Sequence, residues 1–177
     1  MTDSPDAVLL KLGQQLEAAW SELQAPLARF SFLHDEVEAA ALEASPDLPE
    51  RQEDWSSEDT ERYCDALRDA DLAAGEPYHA AEAAKEAAFK KCDLLCKAIA
   101  AITPIGIAGA GVRARAAMYA ASHWWDKPGI DLDWPEHQSR LLIEALCDAA
   151  GLPNAPAGAA MQAQGNRDEK GRPATFH

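Results

Sequence analysis

The stretch SPDAVLLKLGQQLEAAWSELQAPLARFSFLHDEVEAAALEA, Ser4 to Ala44, decides the fold. Ser4 offers a helix N-cap, Pro5 suits the first helical position, and Asp6 lies where the positive end of a helix dipole favours an acid. Apolar residues then recur at Leu9, Leu12, Leu16, Trp20, Leu23, Leu27, Phe30, Val37 and Ala41, with His34 filling the one polar step. From Trp20 onward the steps alternate between 3 and 4, which is a coiled-coil-like seam on a helix of nearly forty residues. Pro26 falls off that seam. It removes one backbone hydrogen bond and is expected to kink the helix, with a split into two helices as the alternative. His34, set inside an apolar stripe, reads as a satisfied core histidine rather than a ligand.

The rest of the chain follows the same period. Alanine makes up about a fifth of the 177 residues and β-branched residues are few, so the hydrophobic fraction of 47% overstates the supply of large side chains. No stretch alternates with the period of a strand. The expectation is an all-α bundle of four to five helices, forming one domain over 1–152 with a flexible tail over 153–177. Ser56 with Asp59 caps a second helix running to Ala74, with Trp55 as its staple and Cys64 and Leu67 facing inward. Gly75 ends it, and Glu76-Pro77 starts a third helix whose inner face is small at Ala81, Ala84 and Ala88 and larger at Phe89, Cys92, Leu95, Ile99 and Ile102. Thr103-Pro104 repeats the cap-and-proline signal for a fourth helix reaching about Ser122. Asp133-Trp134-Pro135-Glu136 is a capping box for a fifth, ending at Ala150 with Gly151 as the C′ residue. Beyond Leu152-Pro153 the sequence lacks apolar anchors.

The segment Thr103-Pro104-Ile105-Gly106-Ile107-Ala108-Gly109-Ala110-Gly111-Val112-Arg113-Ala114-Arg115-Ala116 resembles the helix signature of small all-α proteins of alphaproteobacterial genomes and their mobile elements. Those proteins share an acidic first half, a Thr-Pro-x-Gly-Ile helix start and a Trp-containing loop before a Leu-rich last helix. Trp134 and Leu141, Leu142, Ile143 and Leu146 occupy the corresponding places over about residues 80–150. The resemblance implies a fold and no activity. Gly109 and Gly111 depart from it, each costing about 1 kcal/mol relative to Ala inside a helix.

Charge is distributed unevenly. Residues 1–76 hold 19 Asp and Glu against 5 Lys and Arg, residues 77–177 hold 11 of each, and the net charge of -14 therefore belongs to the first half. Such a half repels polyanions and argues against direct binding of nucleic acid or an anionic membrane, leaving solubility, a basic partner or mimicry of nucleic acid. The N-terminus lacks the basic and apolar regions of a secretory signal, and no apolar run is long enough to span a membrane, so a cytoplasmic location is expected. Four cysteines, Cys64, Cys92, Cys96 and Cys147, then read as reduced thiols on helix faces.

Each candidate site has a structural reading beside the chemical one. Gly106, Gly109 and Gly111 follow no strand and precede no P-loop lysine, so they read as a close-packing face, with the alanine face of the third helix as the expected neighbour. Glu76-Pro77-Tyr78-His79 matches half of a di-iron bundle site but has no second copy and reads as a capping segment. Cys92 and Cys96, one turn apart, read as buried small hydrophobes rather than zinc ligands. Arg113 and Arg115 lie on different faces and are expected to pair with acids of the first half.

The densest collection of functional side chains runs from His123 to His137. Its candidate interaction residues are His123, Trp124, Trp125, Asp126, Asp131, Trp134 and His137, which join a recognition surface or, in the structural reading, plug one end of the bundle. No catalytic residue, metal ligand or cofactor is assigned. The function expected is that of a non-enzymatic interaction or accessory protein acting on a protein partner or on itself. A homodimer is the expected way to cover the long seam. The alternatives are an acidic mimic that occupies a DNA-binding protein and a small metal-dependent protein using the His123–His137 loop.

Overall fold

Ser4 caps the first helix as its sequence requires: its hydroxyl accepts the Ala7 N–H at 3.2 Å and its carbonyl accepts the Val8 N–H at 3.1 Å. A computed structural model of the chain describes residues 4–49, 52–122, 125 and 132–154, and the regular elements among them are all helical. They are α1 (Pro5–Glu43), a 3-10 turn (Gln52–Asp54), α2 (Ser57–Ala100), α3 (Ile107–Ala120) and α4 (Trp134–Ala149). The fold is an all-α bundle. Helix α1 runs unbroken through Pro26, so the split into two helices does not occur.

The expected second and third helices follow one another within α2, separated by a kink at Gly75. Gly75, at φ 64° and ψ -153°, is the single non-helical residue inside α2. A left-handed φ favours glycine, and the helix resumes at once with Pro77 placed where the break has already released its backbone partner. Ser56 and Asp59 form the expected cap: the Ser56 hydroxyl accepts the Asp59 N–H at 3.1 Å while the Asp59 carboxylate accepts the Ser56 N–H at 2.9 Å. These hydrogen bonds from Ser56, aided by Arg62, hold the Asp59 carboxyl below its ordinary range. Cys64, expected inward, is exposed.

Helix α3 starts at Ile107, not at Thr103-Pro104. The Asp6 carboxylate accepts the Ile105 N–H at 2.9 Å and lies against Gly106, the N-cap residue, which is extended at φ -142° and has no side chain of its own to cap with. One acid thereby serves the first turn of α1 and the N-terminus of α3. Helix α4 has the capping box of Asp133 and Glu136 with Pro135 in its first turn. It closes in a Schellman motif, with Leu152 N–H to Cys147 carbonyl at 2.9 Å and Gly151 N–H to Asp148 carbonyl at 3.0 Å.

The described part of the expected domain over 1–152 falls into two compact units. One draws on residues up to Glu22 and from Ala88 onward, the other on Leu23–Ala87. In the first, Leu9, Leu16, Ile99, Met118 and Cys147 are fully buried, and Trp125, Ile143, Leu146 and Leu152 pack on the Ala114, Met118 and Cys147 cluster. Gly109 fits against Asp6 and Leu9 of α1, and Gly111 against Ala150 and Leu152 beyond α4. The close-packing role of these glycines holds, but their neighbours are α1 and the end of α4 rather than the alanine face of α2.

In the second unit Leu23, Val37, Ala41, Tyr78 and Ala81 are buried. His34 stacks on Phe30 at 5.4 Å, and its Nδ1 lies 3.2 Å from the Tyr78 hydroxyl. The Lys85 ammonium sits 3.3 Å from the Phe30 ring centre, so a cation rests on the aromatic face.

Candidate functional site

Three of the seven residues singled out between His123 and His137 fall within the described part of the chain. His123, Trp124, Asp126 and Asp131 lie outside it. Trp125 is half-buried: its indole N–H donates to Glu144 at 3.1 Å, Arg140 pairs with the same carboxylate at 2.9 Å, and the guanidinium lies 5.4 Å from the indole ring. The ring also packs on the Ala114, Met118 and Cys147 cluster. Trp134 is 75% exposed at the first position of α4. His137 is half-buried, its backbone N–H bonded to the Asp133 carbonyl at 2.9 Å, and its Nδ1 has no hydrogen-bond partner among the described residues. Two turns along α4, Leu141 and Leu142 are 45% and 63% exposed, so this helix leaves three large apolar side chains at the surface.

The polar centre of the first unit was not legible as a site. Arg115, only 5% exposed, donates from Nε and Nη2 to the two carboxylate oxygens of Glu17 at 2.7 and 3.3 Å. It also donates to the Tyr119 hydroxyl at 2.8 Å and to the Pro153 carbonyl at 3.0 Å, while the Tyr119 hydroxyl donates to Glu17. Burial works against the guanidinium charge, yet the Glu17 hydrogen bonds and the Tyr119 and Glu17 charges hold its pKa above the ordinary value. The network ties α1, α3 and the segment after α4 together, and its arginine meets the expectation of pairing with a first-half acid.

A cleft of about 260 Å³ beside it is lined by Trp20, Cys92, Cys96 and Tyr119 among others. Burial, with Cys92 and Asp93 adding, pushes the Cys96 thiol up to about 11, and burial raises Cys92 as well. Both are thiols rather than thiolates at neutral pH, which does not suit a nucleophile. Among the described residues no group of three or more His, Cys, Asp or Glu side chains is placed to hold a metal ion. None of their helices is long and apolar enough to cross a membrane.

The second unit gathers the charge. Leu23–Ala87 carries 17 acidic against 5 basic side chains, a net of -12, and the remainder carries 13 against 11, a net of -2. The effect reaches the interior: burial raises the Tyr78 hydroxyl above its ordinary pKa, and Glu82, Asp71 and Glu38 raise it further.

Within this unit the end of α1 and the first half of α2 enclose a groove of about 570 Å³. Its floor is alanine, Ala40 and Ala44 on one side and Ala66, Ala70 and Ala73 on the other. Asp47, Asp65, Asp69 and Arg62 stand at the rim. Arg62 pairs with Asp59, and Asp65 with Arg68 at 2.7 Å, whereas Asp47 and Asp69 have no ion-pair partner among the described residues. The sequence does carry a sign of this groove, the repeat Asp65-Ala66 and Asp69-Ala70 at one-turn spacing.

No protein-family model, curated protein or solved structure matches the chain.

Proposed function

We propose that this is a non-enzymatic interaction protein that binds a basic protein partner through the unit Leu23–Ala87. The observation that carries the reading is the segregation of charge, -12 of -14 within that unit. A unit so charged attracts cationic surfaces over a Debye length and repels polyanions, which favours fast, salt-sensitive association with a basic protein. Mimicry of nucleic acid is the special case in which the basic partner is itself a DNA-binding protein.

The test is recovery of partners from lysate by the full chain and by a variant with Glu58, Glu61, Asp65 and Asp69 changed to their amides. The wild type is expected to retain basic proteins at low salt, release them at high salt and bind no duplex DNA, and the variant to lose them. A partner set that is neutral, or that the amide variant retains in full, overturns the reading. Release of the partner by added duplex DNA would identify the mimic.

Self-association is a second reading, and its support has moved. Leu9, Leu16 and Leu23 of the α1 seam are fully buried within one chain, so the seam no longer calls for a second copy. The exposed Trp134, Leu141 and Leu142 on α4 favour it instead, in a unit whose small net charge does not oppose pairing. Sedimentation of the wild type beside Leu142→Lys tests it: a dimer made monomeric by the variant supports the reading, and a wild-type monomer ends it.

A further inference from the structure

We infer that the alanine-floored groove between the end of α1 and the first half of α2 seats one helix of the partner, an amphipathic helix with small or aliphatic residues on one face and Lys or Arg on its flanks. The inference rests on the reading that the acidic unit binds a basic protein, and it names where and in what conformation. The lining positions on α2 recur at 62, 65, 66, 69, 70 and 73, which is one face over three turns. At 1.5 Å per residue that face is a trough of roughly 16 Å, suited to a rod rather than to a small cation. Alanine methyls on both walls let a third helix approach at the short end of helix–helix distances, about 8 Å between axes.

The floor gives the contact and the rim gives its sign. Asp47 and Asp69 stand at the groove without a basic partner among the described residues, while the rim's one cation, Arg62, is engaged by Asp59. A cationic flank on the incoming helix therefore meets unneutralised carboxylates, and an acidic flank is repelled by them. Helix-in-groove recognition of this kind reads anchors at i, i+3, i+4 and i+7, the same spacing that the groove itself displays.

The experiment uses the full chain and a fluorescein-labelled leucine–lysine peptide with leucines at helical spacing, followed by anisotropy. A second peptide of the same length and charge has two central leucines replaced by prolines, and a third probe is poly-lysine. Ala70→Leu and Ala44→Leu fill the groove from opposite walls without changing charge, both at exposed or half-exposed positions, and circular dichroism verifies that each variant is folded. The expected result is at least a tenfold weaker affinity of the helical peptide for each filled variant. The proline peptide should bind wild type at least tenfold more weakly than the helical one, and poly-lysine should bind all three proteins alike. If the two peptides bind equally and the filled variants leave both unchanged, the groove proposal is overturned while the charge reading stands. If neither peptide nor poly-lysine binds at low salt, the charge reading itself fails. Loss of peptide binding only when Asp47 and Asp69 become Asn, with the filled variants unaffected, would likewise assign the contact to charge alone and overturn the groove.

Discussion

Leu23–Ala87 and the remainder of the chain draw on the same two long helices but differ in what holds them. Among the described residues, thirteen of the eighteen buried hydrophobic side chains belong to the remainder and five to Leu23–Ala87. The remainder also has close approaches at Gly109, to the Asp6 and Leu9 side chains, and at Gly111, to the Ala150 methyl, and the buried arginine network. Leu23–Ala87 has a short ring stack, an alanine groove and nearly all of the net charge. Self-repulsion and a thin core weaken a fold, and the same two features leave a surface open to a partner. Buried packing and net charge are thus concentrated in different stretches of one chain.

The sharpest way to break that comparison is to add one methyl to each side of it. In Gly111→Ala the new Cβ collides with the Ala150 methyl, which is fixed to backbone and cannot rotate away. Helix propensity gains about 1 kcal/mol, but overpacking of this kind lies at or beyond the upper end of about 1–3 kcal/mol. A net loss of about 2 kcal/mol is expected, read as a lower Tm. Gly75→Ala is a different case, since nothing surrounds that position and only its backbone conformation, φ 64° with ψ -153°, resists the change, at about 1–3 kcal/mol. Equal Tm values for Gly111→Ala and wild type would show that the glycine contact is not tight.

A smaller effect is expected from Glu17→Gln. The guanidinium of Arg115 stays buried and loses the ion pair with Glu17, which costs about 1–2 kcal/mol once the 41% exposure of the Glu17 side chain is allowed for. Arg115→Met should cost no more, because Glu17 can then turn to water while the methionine fills the buried space. Chemical denaturation of the two variants side by side checks the order. A much larger loss for Arg115→Met would show that its bond to the Pro153 carbonyl, and not the ion pair, is what the fold depends on.

The sequence revealed what is local. Caps at Ser4, Ser56 and Asp133, the break at Gly75 and the C′ glycine at Gly151 are read within a few residues of chain, and so is the 3-to-4 spacing of the α1 seam. What escaped depends on contacts across the chain. Thr103-Pro104 has every local mark of a helix start, but Asp6, 99 positions away from Ile105, takes the backbone donor there and the helix begins at Ile107. Glu17 carries no mark at all in the sequence, being one more polar residue beside the seam until Arg115 meets it. Of the candidate loop, Trp125 holds α4 through Glu144 and Trp134 is exposed, a division that tryptophan content alone could not make.

Hydrogen exchange compares the two units directly. Amides of residues 57–74 are expected to exchange faster than those of 107–120, since few buried contacts guard them. Raising sodium chloride from about 0.01 M to about 0.15 M shortens the Debye length from roughly 30 Å to roughly 8 Å and relieves repulsion among exposed carboxylates. Exchange over 57–74 should therefore slow with salt while that over 107–120 stays unchanged. Uniform salt dependence would mean that the charge does not set the stability of its own unit.

The finest distinction is carried by the thiols, because Cys64 lies in the acidic unit and Cys92, Cys96 and Cys147 lie in the other. Cys64 is exposed; burial raises the pKa of each of the other three, Cys96 to about 11. At pH 8 a thiol with a pKa of about 11 is about one part in a thousand thiolate, so a thiol reagent should find one fast cysteine and three slow ones in the native protein. Because folding favours the protonated form of Cys96, its contribution to stability is intact below the ordinary value of 9 and is lost as pH rises from there toward about 11. The fast thiol also measures the field around it. A cationic reagent should modify Cys64 several-fold faster than an anionic one at low salt, and the two rates should converge as salt is added. Equal rates at low salt would show that the -12 of Leu23–Ala87 is not felt at its own surface, and the attraction proposed for a basic partner would lose its physical basis.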